Sequence, residues 1–409
     1  MKNQQKDTLE ARSVSREGGS ASGGQMRDVF ETNMGCFFVK KWYIYHQLDD
    51  IYMKYLNVSK AIEAWNAIQP LSERDRERLS RKFTVDFNFN SNHIEGNTLT
   101  YGQTKLLLLF GKVVGEAEMK DLEEMKASNV GLKMMSEQAQ ISDMPLTQNF
   151  IRQLHKILLR EDYTVYRELP GGQYASYVIH AGAYKTRPNS VITRYGDRFE
   201  YASVEETPAL MADLVDWYNK EEKKGKLSPV ELAALFHYRY IRIHPFEDGN
   251  GRIARLMVNF ILSRHNYPMI VVRSRDKANY LEALHRSDAD AGPIPSEGAN
   301  AELSAIRPFL KYFSALFAQE VYNDVRFVSE PDENVWWYDG QRVEFRTPNY
   351  AKILRMLQTR PSVTFDDLWE ELRINKSAVQ RLIGSLKANG YIEQTGKQGE
   401  WRVLIIPSI

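Results

Sequence analysis

The sequence predicts a mainly helical protein with a hairpin-bearing stretch in its middle and a small mixed α+β unit at its end. Three observations carry that expectation. Apolar residues recur at three- and four-residue spacing along most of the chain, as amphipathic helices require. Turn-forming strings (GGQY, AGAY, RPNS, RYGD) crowd between residues 171 and 201, around short β-type runs such as Tyr177-Val178-Ile179. From residue 346 onward, three capped helical patterns are followed by two β-type runs.

At 409 residues the chain is too long for one ordinary core, and two or three units are expected. Its composition, 43% hydrophobic and 26% charged, is that of a globular protein. No apolar run approaches the roughly 18 residues that a membrane span needs, so no membrane partner is expected. The N-terminal MKNQQKDTLEARSV lacks the apolar segment of a secretory signal. One cysteine, Cys36, allows neither an intramolecular disulfide nor a cysteine-rich zinc site, which fits a cytoplasmic location. With 54 basic and 53 acidic side chains the net charge is +1, so any affinity for nucleic acid must be local.

Residues 1–35 are polar and glycine-serine rich, and are expected to form a flexible tail. Residues 36–145 form a helical N-terminal region: Trp42, Tyr45, Leu48, Ile51, Tyr52 and Tyr55 repeat at helical spacing, and Ser72 with Glu73 and Asp75 marks a further helix start. Residues 146–325 form a second, mostly helical unit. In it Ser228-Pro229-Val230-Glu231 combines a capping box with proline in the first turn, and a helix is expected over 251–265. Residues 326–345 are polar and aromatic and are expected to be a linker. In 346–409, helices are expected from Pro348 to Thr359, from a Thr364–Asp367 capping box to near Arg373, and from Asn375 to Asn389-Gly390. Two β-type runs then flank Gly396-Lys397-Gln398-Gly399. That order describes a winged helix-turn-helix.

Between two central helices lies His244-Pro245-Phe246-Glu247-Asp248-Gly249-Asn250-Gly251-Arg252-Ile253-Ala254-Arg255. Two glycines and an asparagine make a tight turn whose amides feed a helix N-terminus, an anion site in itself. Arg252 and Arg255, three apart, share a helical face and can both reach anionic oxygens. Asp248 offers a hard oxygen suited to Mg2+ riding on phosphates. His244, with an ordinary pKa near 6.5, suits a general base. Together these groups point to transfer of a phosphorus-containing group.

The segment resembles the Fic family signature H-x-F-x-[D/E]-G-N-G-R-x-x-R at every specified position, and the resemblance extends from about Ser91 to Ala315. It implies a helical Fic core with a β-hairpin flap over 146–325, and an AMP-transferase that moves AMP from ATP onto a Tyr, Ser or Thr hydroxyl of a target protein. By position, His244 would take the hydroxyl proton and Asp248 would hold Mg2+. Gly249, Asn250, Gly251, Arg252 and Arg255 would bind phosphates, and Phe246 would anchor the loop. Upstream, Ser91-Asn92-His93-Ile94-Glu95-Gly96-Asn97 looks like the family's inhibitory helix, [S/T]-x-x-x-E-[G/N]. The resemblance implies that Glu95 pairs with Arg255 and competes with the γ-phosphate. In some relatives the same glutamate assists AMP removal. That activity, transfer from another nucleotide, and a nucleotide-sensing DNA-binding regulator remain the alternative functions.

The resemblance also places the target-docking flap at Tyr174 to Ile192, although Ala175 stands where family members often carry arginine. Tyr280, Leu284 and Asp288 match adenine-pocket positions, but two of them fit helix core equally well. Homodimers are common among such proteins. From residue 346, ten basic side chains face six acidic ones, a balance of about +4. Lys376, Gln380, Arg381 and Lys387 would face a DNA groove, with Lys397 on the wing. Winged helices also serve as protein-interaction and dimerisation modules.

Overall fold

Capping side chains set several of the helix starts. The structure, a computed structural model, describes residues 58–404 except 170–172, 193–197, 330–332 and 396–399. The tail at 1–35, the helical pattern from Trp42 to Tyr55, and the turn holding Lys397 lie outside the described residues. After α1 (Val58–Ala67), Ser72 accepts from the Asp75 amide and starts α2 (Glu73–Ile94). Thr100 and Gln103 form the capping box of α3 (Tyr101–Phe110). Helix α4 (Met119–Ala139) follows, and Thr147 caps α5 (Gln148–Leu159).

Two antiparallel hairpins come next. In the first, β1 (Tyr163–Leu169) pairs with β2 (Gln173–Ile179), with Tyr163 opposite Ile179. In the second, β3 (Ser190–Ile192) pairs with β4 (Arg198–Glu200). This corrects the expected flap from Tyr174 to Ile192. That span takes one strand from each hairpin, because turn residues mark where a chain reverses but not which strands pair.

Helices α6 (Thr207–Lys224), α7 (Pro229–Ile243) and α8 (Asn250–Arg264) lead through a short 3-10 turn at Ser274–Asp276 to α9 (Lys277–Ala291), α10 (Pro295–Ala299) and α11 (Arg307–Ser329). The expected capping box opens α7, with Ser228 and Glu231 each bonding the other's backbone. Helices α7 and α8 are the interior of this unit: residues from Leu232 to Tyr240 and from Arg252 to Leu262 are buried throughout. Helices so covered on every side position whatever lies between them rigidly.

A hairpin ahead of residue 346 shares the core of the C-terminal unit. Strands β5 (Val335–Tyr338) and β6 (Gln341–Glu344) form a hairpin inside the stretch expected to be a linker. Trp336 and Tyr338 are buried in one core with Leu354 and Leu357 of α12 (Pro348–Thr359) and Leu368 of α13 (Phe365–Leu372). Val379, Ile383 and Leu386 of α14 (Lys376–Ala388) and Trp401 complete it, beneath the antiparallel pair β7 (Ile392–Thr395) and β8 (Glu400–Val403). This same core takes in Val85 and Phe89 of α2 and Tyr101 of α3. The N-terminal region therefore packs on both larger units.

A buried charge cluster lies at that junction. Arg273 pairs with Asp86 at 3.0 Å, with Asp339 at 3.1 Å and with Glu320, while Lys82 reaches Asp324 at 2.9 Å. Replacing Arg273 by alanine takes a partner from three buried carboxylates. Asp86 keeps Lys82 and Asp339 keeps Arg275, but Glu320 loses its ion pair, and breaking a buried pair costs about 3–5 kcal/mol. Arg273→Ala should lose stability of that order in urea or guanidinium titrations. A loss below about 1 kcal/mol would contradict the burial described here.

Candidate active site

The central motif occupies the turn between α7 and α8. His244 closes α7 in a left-handed conformation (φ +50°), its amide donating to the Tyr240 carbonyl at 2.9 Å. Such a conformation is uncommon for a non-glycine residue and needs surrounding contacts to hold it. Phe246 is wholly buried and stacks on His155, with ring centroids 3.7 Å apart. Asn250 clamps the turn: its Oδ1 accepts from the Phe246 amide at 3.0 Å and its Nδ2 donates to the Phe246 carbonyl at 2.7 Å. The Asn250 side chain, expected at the phosphates, makes these two bonds in shaping the loop and keeps one N–H and one acceptor lone pair. Gly249 then starts α8 at φ +74°, and no side chain caps that helix. Its first amides are left to whatever anion approaches.

One buried polar atom here, Nε of Arg252, has no hydrogen-bond partner among the described residues. Arg252 approaches Asp248 Oδ2 only to 3.4 Å. The same Oδ2 accepts from the Tyr163 hydroxyl at 2.8 Å, and Oδ1 accepts from the Gly249 amide at 2.6 Å. Burial alone would raise the Asp248 pKa, but Arg252, Tyr163 and the Gly249 amide outweigh it and hold the carboxyl below its ordinary value.

The His244 ring stacks on Tyr201, with centroids 3.8 Å apart and planes 12° from parallel. Burial pushes its pKa down to about 3, helped by the Lys185 ammonium, while the Ile241 carbonyl and Asp248 pull weakly the other way. The imidazole is therefore neutral at physiological pH, the form a base needs, while the same burial opposes its protonation. Lys185 is itself buried, its Nζ donating to the Ile243 carbonyl at 3.0 Å and its amide to the Pro245 carbonyl at 2.8 Å.

The upstream motif meets this turn across 160 positions of sequence. Arg255 donates through Nη2 to Glu95 Oε1 at 2.6 Å and to the Ser91 carbonyl at 2.9 Å, and through Nε to Ser91 Oγ at 3.0 Å. Gly96, at φ +100°, ends α2, and Asn97 turns back to the Asn92 carbonyl while its side chain donates to the Asp121 carbonyl at 3.0 Å. Lys277 adds a donor to the Ile94 carbonyl at 2.6 Å. Glu95 also lies against the phosphate turn, since a β-carbon at Gly251 would overlap its carboxylate.

The remaining expected residues are placed as follows. Tyr280 and Leu284 are buried in the main core, and the Tyr280 hydroxyl pairs with His237 Nε2 at 2.8 Å. Asp288 accepts from Tyr238 at 2.8 Å and from Arg242 at 3.0 Å, and its pKa is raised by burial. Lys376, Gln380 and Arg381 are exposed on α14, Arg381 opposite the buried Val379, Ile383 and Leu386 and the other two on the flank of that face; Lys376 also pairs with Asp366 at 2.6 Å. Lys387 lies over the Trp401 ring and donates to Gln394, away from that role. The sequence reading missed Tyr163, His155, Lys185 and Tyr201. All lie more than 40 positions before the motif, where no local pattern marks them.

The fold and site define a class. Residues 145–262 match the Fic/DOC family and residues 346–399 match the MarR family. A Fic domain containing signaling protein from Bacteroides thetaiotaomicron is 54% identical in sequence, with a TM-score of 0.62, over 68% of this chain and 98% of that one. The chain belongs to the Fic/DOC family and carries a C-terminal winged-helix domain of MarR type. Among curated relatives, the protein adenylyltransferase fic-1 of Caenorhabditis briggsae is 28% identical over 235 residues, 58% of this chain. The chain spans 40% of the length of that relative. Fic-1 of C. elegans (residues 134–508) shares the fold, with a TM-score of 0.52 at 21% identity over 74% of this chain and 80% of that one. Among the described residues no helix is long and apolar enough to cross a membrane.

Removing the Tyr201 ring exposes His244, so Tyr201→Ala should raise the imidazole pKa from about 3 toward its ordinary 6.5. The sign follows from proton linkage. A native pKa below the unfolded value means that acid favours unfolding: the His244 contribution is complete above pH 6.5 and falls away as pH drops toward 3. NMR titration of the His244 ring checks this, and an unchanged midpoint in Tyr201→Ala would contradict it.

Proposed function

We propose that this chain is a protein AMP-transferase, using ATP and Mg2+ and held inactive by its own Glu95. The observation that carries the reading is the shared use of Arg255. Its guanidinium, on the phosphate-binding helix, is occupied by a carboxylate that abuts the phosphate turn at Gly251. The names of the curated relatives support an adenylyltransferase chemistry.

In the proposed reaction the triphosphate lies across the N-terminus of α8. The amides from Asn250 to Arg252 and the unpaired Arg252 Nε would hold it, and Arg255 would take the outer phosphates once Glu95 withdraws. A target Tyr, Ser or Thr hydroxyl oxygen attacks the α-phosphorus. The α–β phosphoanhydride bond breaks, pyrophosphate leaves with its charge on Arg252 and Arg255, and the hydroxyl proton passes to the neutral His244 imidazole. The donor chemistry of Asp248, a single part-exposed carboxylate kept ionised, fits Mg2+ carried on the phosphates. That ion would supply neutralisation of phosphate charge. Reaction by this route is chiefly positioning and charge stabilisation, and a base adds about 10²- to 10⁴-fold.

The hairpin β3–β4 is the better candidate for the target-docking flap. Its approach is tied to the motif by Asn189, which donates to the Phe246 carbonyl at 2.9 Å, and by the Ala202 amide on the Arg242 carbonyl at 3.3 Å. Strand addition of a target segment would bring its hydroxyl toward His244. The MarR-type domain supports duplex DNA binding through the exposed face of α14, and the single cysteine suits a cytoplasmic setting.

ATP labelled separately on the α- and γ-phosphates tests the chemistry. Protein-bound α-label should increase in Glu95→Gly and fall by at least about 10²-fold in His244→Ala, with no γ-label on protein. Label from the γ-position, or transfer undiminished in His244→Ala, would overturn the assignment. For the DNA face, Lys376→Ala and Arg381→Ala should each weaken duplex binding and flatten its salt dependence. Unchanged affinity in both would remove α14 as the reading surface.

A further inference from the structure

A two-residue Asp-Gly hairpin tip normally faces water. The tip between β5 and β6 does not. Asp339 (φ +47°) is 1% exposed, and a β-carbon at Gly340 (φ +71°) would overlap the Arg273 guanidinium. This tip is driven into the junction between the winged-helix region and the catalytic unit. There Asp339 Oδ1 accepts from Asn90 Nδ2 at 2.6 Å and from Arg273 at 3.1 Å, while Oδ2 accepts from Arg275 at 2.8 Å.

Asn90 is one residue before Ser91, which holds Arg255 through both its hydroxyl and its carbonyl. The Asn90 amide is gripped at both ends, since its Oδ1 also accepts from the Ser274 amide at 2.7 Å. On the same side of α2, Asp86 accepts from the Tyr101 hydroxyl at 2.6 Å, and the Tyr101 ring lies 4.5 Å from that of Tyr338. Tyr338 in turn donates to the Val403 carbonyl in β8 at 3.3 Å. Direct contacts thus run from the wing, through the buried tip, to the turn of helix that presents Ser91 and Glu95.

We propose that Asp339 is a positioning residue for the Glu95–Arg255 contact, acting through Asn90, so that the winged-helix domain sets how firmly the nucleotide site is closed. The proposal rests on the reading of Glu95 as the group that competes with triphosphate. A contiguous chain of contacts becomes a coupling only if it biases an element with two states. Here that element is Arg255, engaged by Glu95 in one state and by phosphate in the other. Linkage is reciprocal, so a duplex bound to α14 that shifts the β5–β6 tip would change nucleotide affinity, and nucleotide would change duplex affinity by the same factor.

The test is a double-mutant cycle on the full chain. It is read as the affinity for α,β-methylene-ATP, which cannot be split at the bond broken in transfer. Asp339→Asn should tighten binding by about fivefold or more when Glu95 is present, the lower end of usual couplings, and should leave it unchanged in Glu95→Gly. Arg275→Ala, which frees the tip while Arg273 still pairs with Asp339, should act in the same direction and decides the matter if Asp339→Asn unfolds. Equal effects in both backgrounds, or none in either, would overturn the proposal. Glu95→Gly alone reports separately on the competition itself: if it does not tighten binding, the underlying autoinhibition reading falls too. A failure of AMP transfer with the expected binding pattern would instead leave the coupling standing and discard only the chemistry.

Discussion

One guanidinium organises this molecule. Arg255 is buried at the second turn of α8, and its donors go to Ser91 and Glu95 on a helix far away in sequence. A buried arginine needs its charge and its N–H groups satisfied at all times. In the structure α2 supplies that satisfaction, and in the proposed function a nucleotide triphosphate is the alternative partner. The position of α2, the small residue at Gly251 and the uncapped start of α8 all follow from this single constraint. Each is what a site must have if a carboxylate and a phosphate are to take turns on one cation.

The constraint explains why α2 is so unusual a helix. Asp86, Asn88, Asn90, Ser91 and Asn92 are all buried, where apolar side chains would ordinarily lie. Each has work to do. Asp86 neutralises Arg273 and accepts from Tyr101, Asn90 bridges Asp339 and Ser274, Asn88 reaches Asn129, and Asn92 touches the Met125 sulfur. Buried polar contacts fix register more than they add stability, because a slipped helix would leave each of them unpaired. For a helix that holds two groups on Arg255, such register keeps Ser91 and Glu95 in place.

Much of this was legible in the sequence where residues that act together are also neighbours. The turn from His244 to Arg255 could be read because its chemistry lies within twelve consecutive positions. The capping boxes at Ser228 and Thr364 could be read because a cap is a local hydrogen bond. What was not legible depends on contacts between distant segments. His155 meets Phe246, and Tyr201 meets His244, only because two helices and a hairpin bring them together. Asp86 and Arg273 resemble ordinary surface charges in sequence, and only packing shows that they face each other in the interior. The stretch around Trp336 resembled a linker because polar residues precede it, yet its aromatic side chains join a core built mainly by α12, α13 and α14, which Val85 and Phe89 of α2 also enter. The hairpin boundaries were misjudged for a related reason, as glycines show where strands end and not which strands pair.

The most direct measurement is a pair of crystal structures, wild type and Glu95→Gly, each with α,β-methylene-ATP and Mg2+. The account predicts that in Glu95→Gly the outer phosphate lies within about 3.2 Å of the Arg255 guanidinium, with the α-phosphorus open to attack from the His244 side. In wild type, Glu95 should keep Arg255 and the triphosphate should lie in a different, misaligned pose. The same phosphate placement in both proteins, with Arg255 serving Glu95 and phosphate together, would contradict it.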